Sequence, residues 1–440
     1  MVKLKRQPIS KISHTRTVPL CDRTLGQSPV TTLLSLLSEG DPEALMAGLT
    51  EMDWQKIAEL ATFHQLGGVL YDKIKNYQSL VPESVFQLLR NEQLKMGMQN
   101  VYLYEQLDEQ LHKLCELGVE AILLKGAYLA REVYDHLGLR CMSDVDLLVK
   151  RQDLEKVESL LLSLGYKPDN CHRVITKRNH HFAYRKKGSI TLEVHWKLHW
   201  SCLKAMDVND LWSRKMQLSN GDQQKVYAFS PEDLLLHLCL HNALHIQNMK
   251  LRMIYDLKVV LQRFASQFDF SVMVERAKKW KIQGSVYVFL RLTRDLLGHE
   301  INSNFLSELE PALEPADFDE KKYTALLEKL TEERSLDQSC VMGASSMLLW
   351  SEKSLRYKWK LLREHLLVSP RVISLKYPAS AKSIRVFFYY PLYWAELSRK
   401  TIRLLGQGRE RQIKNREHVD RINEMTDLRQ WMLGIDSEEV

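Results

Sequence analysis

Residues 140–150 read Arg-Cys-Met-Ser-Asp-Val-Asp-Leu-Leu-Val-Lys. The apolar run around Val145, Leu147, Leu148 and Val149 has the texture of a buried strand, and Asp144 and Asp146 are set into it. Side chains at i and i+2 of a strand point to one face. Two carboxylates held together in an apolar strand repel unless a positive charge joins them. Divalent magnesium is a natural solution, because it takes a few carboxylates together with phosphate oxygens and water. The plainer alternative leaves one or both aspartates at the strand end in solvent.

Upstream, VEAILLKGAYLA (119–130) puts a short apolar run before Lys125-Gly126. It reads as strand, tight turn and a helix from Ala127 to Leu137. Glycine lets backbone N–H groups approach a phosphate, a helix N-terminus favours negative charge, and Lys125 adds a cation. Arg140 is a second cation near the aspartates. Downstream, RQDLEKVESLLLSLGY (151–166) is a helix with Asp153 placed to cap it and Gly165 to end it. HHFAYRKKGSITLEVHWKL (180–198) is a hairpin, its arms Phe182 to Arg185 and Ser189 to Trp196, turning at Lys187-Gly188. In the second arm Glu193 and His195 share one face, and Leu192 and Val194 the other. If that arm lies beside the aspartate strand, Glu193 becomes a third carboxylate at the site; otherwise Glu193 and His195 face water.

Helical patterns flank this segment. Trp54, Ile57, Leu60 and Ala61 give an amphipathic rhythm, and a long helix is expected from Pro82 towards Leu117. Ser230-Pro231-Glu232-Asp233 is a helix start with Ser as cap. Helices follow over 234–246, 251–264, 271–280 and 285–297, with further helical texture over 340–366 and 384–405. The expected architecture is α+β, a small mixed-sheet module embedded between helical regions. Its divisions are a basic leader (1–29), an N-terminal helical region (30–118), the α/β module (119–229), a helical domain packing on the cleft (230–300) and a C-terminal helical extension with a basic tail (301–440).

The 440 residues carry a net charge of +7, with 45% hydrophobic and 27% charged side chains. This balance excludes collagen-like and wholly disordered chains and gives no strong nucleic-acid signal. The excess sits locally. One patch is the hairpin, at Lys177, Arg178, Arg185, Lys186 and Lys187; the other is the C-terminal run of Arg399, Lys400, Arg403, Arg409, Arg411, Lys414 and Arg416. That run follows the aromatic stretch FFYYPLYW (387–394), a pattern for peripheral contact with a membrane surface or an acidic partner, or simply a solvated basic helix. The apolar stretch Ile384–Leu397 falls short of the ~20 residues a membrane-spanning helix needs, and Pro391 interrupts it. The seven cysteines are scattered singly without a CxxC pair, and the N-terminus lacks a signal-peptide core, so a reduced, cytoplasmic protein is expected. Phosphate-loop, dinucleotide-binding, hydrolase-elbow and HExxH motifs are all missing from the sequence. His237, His241 and His245 fall on one helical stripe, read as a structural stripe at a domain interface or as residues lining the cleft.

The order of strand, glycine turn, helix, DxD strand and later acid-bearing strand resembles the polymerase-beta-like nucleotidyltransferase superfamily. Within it, the chain looks like the bacterial branch known as the uncharacterised nucleotidyltransferase family. The matching residues are Leu123–Gly126, Arg140 with Ser143–Val149, Leu164–Tyr166, His180-His181 with Tyr184, and Leu192–Trp196. The later run around His241, His245, Arg252 and Asp256 is similar too, so the resemblance covers about residues 30–300. It departs from the wider superfamily in carrying Lys-Gly-Ala at 125–127 where many members have Gly-Ser. It implies a two-metal transfer of a nucleoside monophosphate from an NTP such as ATP to a hydroxyl or phosphate acceptor, with Mg²⁺ or Mn²⁺ as cofactor. Asp144, Asp146 and Glu193 would then be catalytic metal ligands, and Lys125, Gly126, Arg140, His181 and His195 would hold the nucleotide. Two other readings are a non-catalytic nucleotide-binding or interaction protein on the same fold, and a helical scaffold with an incidental α/β insert.

Overall fold

The computed structural model describes residues 28–168, 180–198, 206–218, 225–310, 320–331, 383–405 and 425–433, with single positions at 370, 373 and 377. Residues 1–27 of the expected leader, Lys177, Arg178, most of the basic tail and the helix expected over 340–366 lie outside the described residues.

The fold opens with helices α1 (Pro29–Leu37), α2 (Glu51–Phe63), α3 (Gly67–Ile74) and α4 (Glu83–Glu116), with a single helical turn at Glu43–Met46 between the first two. Ser28 caps α1 in a reciprocal capping box with Thr31, and Thr50 does the same for α2 with Asp53. The 34-residue α4 buries a stripe running from Val85 and Phe86 through Leu107 to Leu114.

The sheet follows, with strands β1 (Ala121–Leu123), β2 (Val145–Val149), β3 (Lys167–Pro168), β4 (His181–Arg185), β5 (Leu192–His195), β6 (Met216–Gln217) and β7 (Val226–Ala228). Their order is β3-β4-β5-β2-β1-β7-β6. The centre is mixed: β2 runs parallel to β5 and antiparallel to β1, and β1 runs parallel to β7. All five β2 residues are buried, as their near-continuous apolar run requires of a central strand. The hairpin β4–β5 turns through Gly188 at φ 72°, a conformation that suits glycine because it lacks a Cβ.

Two local expectations are corrected. Asp153 does not cap α5 (Leu154–Ser163) through its side chain; it already lies in a helical turn, Arg151–Asp153, so its backbone is inside the helix. The helix expected over Ala127–Leu137 is a single turn, Lys125–Tyr128, then a widened turn, Leu129–Val133, and an extended break at Tyr134. Tertiary bonds override local propensity there. Tyr134 Oη donates to Asp256 at 2.7 Å, and Asn100 Nδ2 donates to the carbonyls of Leu137 and Arg140, both at 2.7 Å.

Helices α6 (Pro231–Leu244), α7 (Leu251–Arg263), α8 (Phe270–Trp280) and α9 (Gln283–Leu297) form the second helical layer. Ser230 caps α6 by accepting from the Asp233 N–H, with Pro231 at the first helical position. Every residue from Pro231 to Leu240 is buried, so α6 is a core helix without a polar face. This layer is tied to the sheet by Asp256 of α7. Its carboxylate accepts from Arg140 Nε at 2.8 Å and Nη2 at 3.0 Å, from Arg252 at 3.2 Å, and from Tyr134. Later in the chain comes α10 (Tyr390–Leu405), and among the described residues no helix is long and apolar enough to cross a membrane.

Asp256→Asn would leave the Arg140 guanidinium buried without a full counter-charge. Removing one partner of such a pair costs about 3–5 kcal/mol, which urea unfolding should detect; a loss under about 1 kcal/mol would show that the ion pair does not anchor the layers. His237 is buried in α6, and neither ring nitrogen has a hydrogen-bond partner. Burial first, and then the nearby Lys125 charge, push its pKa down from 6.5 to about 3. Between those values the unfolded chain binds a proton that the folded chain refuses. Stability is therefore intact above this window and falls as pH drops through it, by about 1.4 kcal/mol per pH unit. His237→Leu should flatten that part of the stability profile, measured as denaturation midpoints between neutral and mildly acidic pH; an unchanged slope would contradict the assignment.

Candidate active site

The parallel pairing of β2 with β5 sets Asp146 opposite Glu193, and antiparallel β4 sets His181 opposite His195. Strand alternation then puts Asp146, Glu193, His195 and His181 on one face. Asp144 joins them from the residue just before β2. Neither Glu193 nor His195 stands on an open surface. The Glu193 side chain is 24% exposed and that of His195 only 4%.

Lys125 follows β1 with φ 43°, a left-handed conformation that a non-glycine residue rarely adopts and that costs of order 1–3 kcal/mol. Its ammonium lies 2.7 Å from Asp146 Oδ1. Next to it Gly126 is buried, and a Cβ there would meet Met142 Cγ at 3.2 Å and Arg140 Nη1 at 3.5 Å. The turn is thus packed so closely that any side chain at 126 would push Met142 aside.

The electrostatics follow from this crowding. Burial raises the Asp144 pKa, and the negative charges of Asp146 and Glu193 raise it further. Burial also opposes ionisation of Asp146, but the Lys125 ammonium and the His195 ring, 2.8 Å away, hold its carboxyl well below the usual range. Lys125 itself is held above its ordinary value: burial works against its charge, and attraction to Asp146, then Glu193 and Asp144, outweighs it. Glu193 is lowered chiefly by His195, whose Nε2 lies 3.5 Å from its carboxylate. Asp146 and Glu193 therefore meet at His195, Lys125 pairs with Asp146, and Asp144 adds a third negative charge nearby. That donor set fits a hard divalent cation, because Asp144 remains undercompensated and carboxylate oxygens are the ligands such ions take. Asp144, Asp146 and Glu193 are the residues that would hold it.

The structure separates the expected site residues. Asp144, Asp146, Glu193, Lys125 and Gly126 gather at one end of β1, β2 and β5, and His181 lies beside them with its Nε2 3.9 Å from Glu193. His195 is not an open cleft wall but a buried support that orients Asp146. Arg140 is corrected as a phosphate ligand. Asp256 takes its Nε and Nη2, the Cys141 carbonyl takes Nη1, and the residue is 7% exposed. It serves the junction of sheet and helices. Burial, and after it the Lys125 charge, lowers the pKa values of His237, His241 and His245, whose ring centroids follow one another at 6.4 and 4.4 Å. His180 lies here too; its ring centroid is 4.4 Å from that of His181 and 5.7 Å from that of His195. The hairpin register, readable from 180–198, was the signal for it.

Among solved structures, an antigenic nucleotidyltransferase-like protein from Paracoccidioides brasiliensis is similar at 17% identity, over 41% of this chain and 92% of that one, with a TM-score of 0.25. No curated protein matches the chain. The sequence model of a family described as uncharacterised nucleotidyltransferase matches residues 50–298 and spans α2 through α9 with the whole sheet. Since that match takes in more than half of the 440 residues, the chain belongs to the uncharacterised nucleotidyltransferase family.

Proposed function

We propose that this protein is a metal-dependent nucleotidyltransferase of the polymerase-beta-like type, moving a nucleoside monophosphate from an NTP, ATP first among those to test, to a hydroxyl or phosphate acceptor. The observation that carries the reading is the register that sets Asp146 opposite Glu193, with Asp144 two residues away. In the reaction an acceptor oxygen attacks the α-phosphorus, the bond to the bridging oxygen of the β-phosphate breaks, and pyrophosphate leaves. Divalent ions held by Asp144, Asp146 and Glu193, Mg²⁺ or Mn²⁺, would supply the charge that lowers the acceptor's pKa and stabilises the leaving group. Glu193, whose side chain is 24% exposed, would take the acceptor proton. Lys125 and the backbone at Gly126 supply positive charge and N–H groups for the phosphates. His195 fixes the Asp146 carboxylate, and His181 stands at the more open edge. The seven cysteines are scattered along the sequence without a CxxC pair, which suits a reducing cytoplasm.

Asp144→Asn and Asp146→Asn should each abolish Mg²⁺-dependent transfer of labelled nucleotide while leaving the circular dichroism spectrum unchanged. Transfer retained in both variants would remove the assignment. Nucleotide binding that Mg²⁺ tightens, seen by calorimetry without any turnover, would favour a non-catalytic nucleotide-binding protein instead.

We also propose a peripheral contact with anionic lipid. Ile384, Phe387 and Phe388, in the tight helical turn Ile384–Tyr389 that precedes α10, and Leu392 in its first turn are exposed, and so are Arg385 and Arg399. Apolar side chains flanked by cations suit the headgroup boundary of an acidic bilayer. The protein should sediment with vesicles containing phosphatidylserine, and Phe387→Ser/Phe388→Ser should weaken this severalfold; equal sedimentation of the double variant would exclude the contact.

A further inference from the structure

The antiparallel register places His181 directly across from His195, and His180 adjoins them. The His181 and His195 ring centroids are 4.8 Å apart. Each of the three histidines offers a ring nitrogen within 4.8 Å of the others. Two nitrogens in this group are buried without a hydrogen-bond partner, Nδ1 of His181 and Nδ1 of His195. A buried polar atom left unpaired costs roughly 1–3 kcal/mol, so two in one cluster call for an explanation. His195 supplies part of it. Its Nε2 is 2.8 Å from Asp146 Oδ1, and the tautomer that donates there carries its lone pair on Nδ1. A carboxylate behind one ring nitrogen and a bare lone pair on the other is how carboxylate–histidine–metal triads orient their ligands.

We infer that His180, His181 and His195 form an imidazole cation site beside the three carboxylates, and that it takes a divalent transition ion of the zinc class. Imidazole nitrogen is a borderline donor that suits Zn²⁺, Co²⁺ and Ni²⁺ and serves Mg²⁺ poorly. In a tetrahedral site with metal–nitrogen bonds of about 2.0–2.1 Å the donors stand about 3.3 Å apart, so side-chain rotation closes the present spacing. His180 and His181 are only half-buried at the hairpin edge. Three protein donors leave a fourth position for water or a substrate oxygen, the arrangement of catalytic rather than structural sites. The site does not depend on the nucleotidyl-transfer reading, since it uses imidazoles where that reading uses carboxylates. Asp146 is common to both, as a ligand in one and as the support of His195 in the other.

The test uses the full-length chain, stripped with chelator and titrated with Co²⁺ alone. One equivalent should bind with the visible absorption of a four- or five-coordinate ion. His180→Gln and His181→Gln should each weaken it at least tenfold, and Asp144→Asn should leave it unchanged. Zn²⁺ should displace the Co²⁺, and excess Mg²⁺ should not. A visible band that survives in both histidine variants overturns the proposal. So does a band lost in Asp144→Asn, which would assign the ion to the carboxylates, or displacement by Mg²⁺. Circular dichroism of each variant separates loss of the ion from loss of the fold. Failure of nucleotidyl transfer is read in a different assay and leaves this result standing.

Discussion

The structure depends on burying like charges beside one another. Asp146 sits on a fully buried strand with Glu193 directly across and Asp144 close by. Carboxylates in that environment are strongly disfavoured unless something positive compensates them. Lys125 supplies the charge and His195 a hydrogen bond, and both demand something from the chain. Lys125 adopts a left-handed backbone to follow β1 and still reach Asp146, and the glycine after it lets the turn pack against Met142. His195 must be buried behind the carboxylate, which requires β4 to cover β5. Strain and buried charge of this kind are retained where the surrounding fold over-determines them, and that is a signature of functional sites.

The helical layers answer a second problem, how to hold the loop between β1 and β2. Asp256 reaches across from α7 to bind Arg140, and Tyr134 and Arg252 complete its hydrogen bonds. Asn100 of α4 fastens two carbonyls of the same loop from the other side. The segment that delivers Asp144 is therefore clamped between both helical regions. A change in either would be felt at the carboxylates through this loop.

Much of this was legible in the sequence. Two-residue alternation in Leu192–His195 and the apolar run after Asp144 gave the faces of β5 and β2, and the Lys187-Gly188 pair gave the hairpin. Helix starts at Ser230-Pro231 and the extent of α4 were equally plain, because caps and periodicity are local signals. What could not be read was pairing at a distance. Arg140 looked like a phosphate ligand because its neighbours in sequence are aspartates, yet its partner lies 116 residues away. The helix expected after Ala127 failed for the same reason: Tyr134 and Leu137 are held by residues of α7 and α4. His237 shows the opposite limit. Its helical stripe was visible, but only the packing of α6 strips both nitrogens of partners and lowers its pKa.

The central claim, that the carboxylate cluster transfers a nucleotidyl group, is tested most directly by label position. The full-length protein with Mg²⁺ and cell extract is given ATP labelled at either the α- or the γ-phosphate, and acid-stable product and released pyrophosphate are both measured. The account predicts that α-label enters the product while γ-label leaves only as pyrophosphate. Entry of γ-label into the product, or α-label appearing only as free nucleotide, would contradict it.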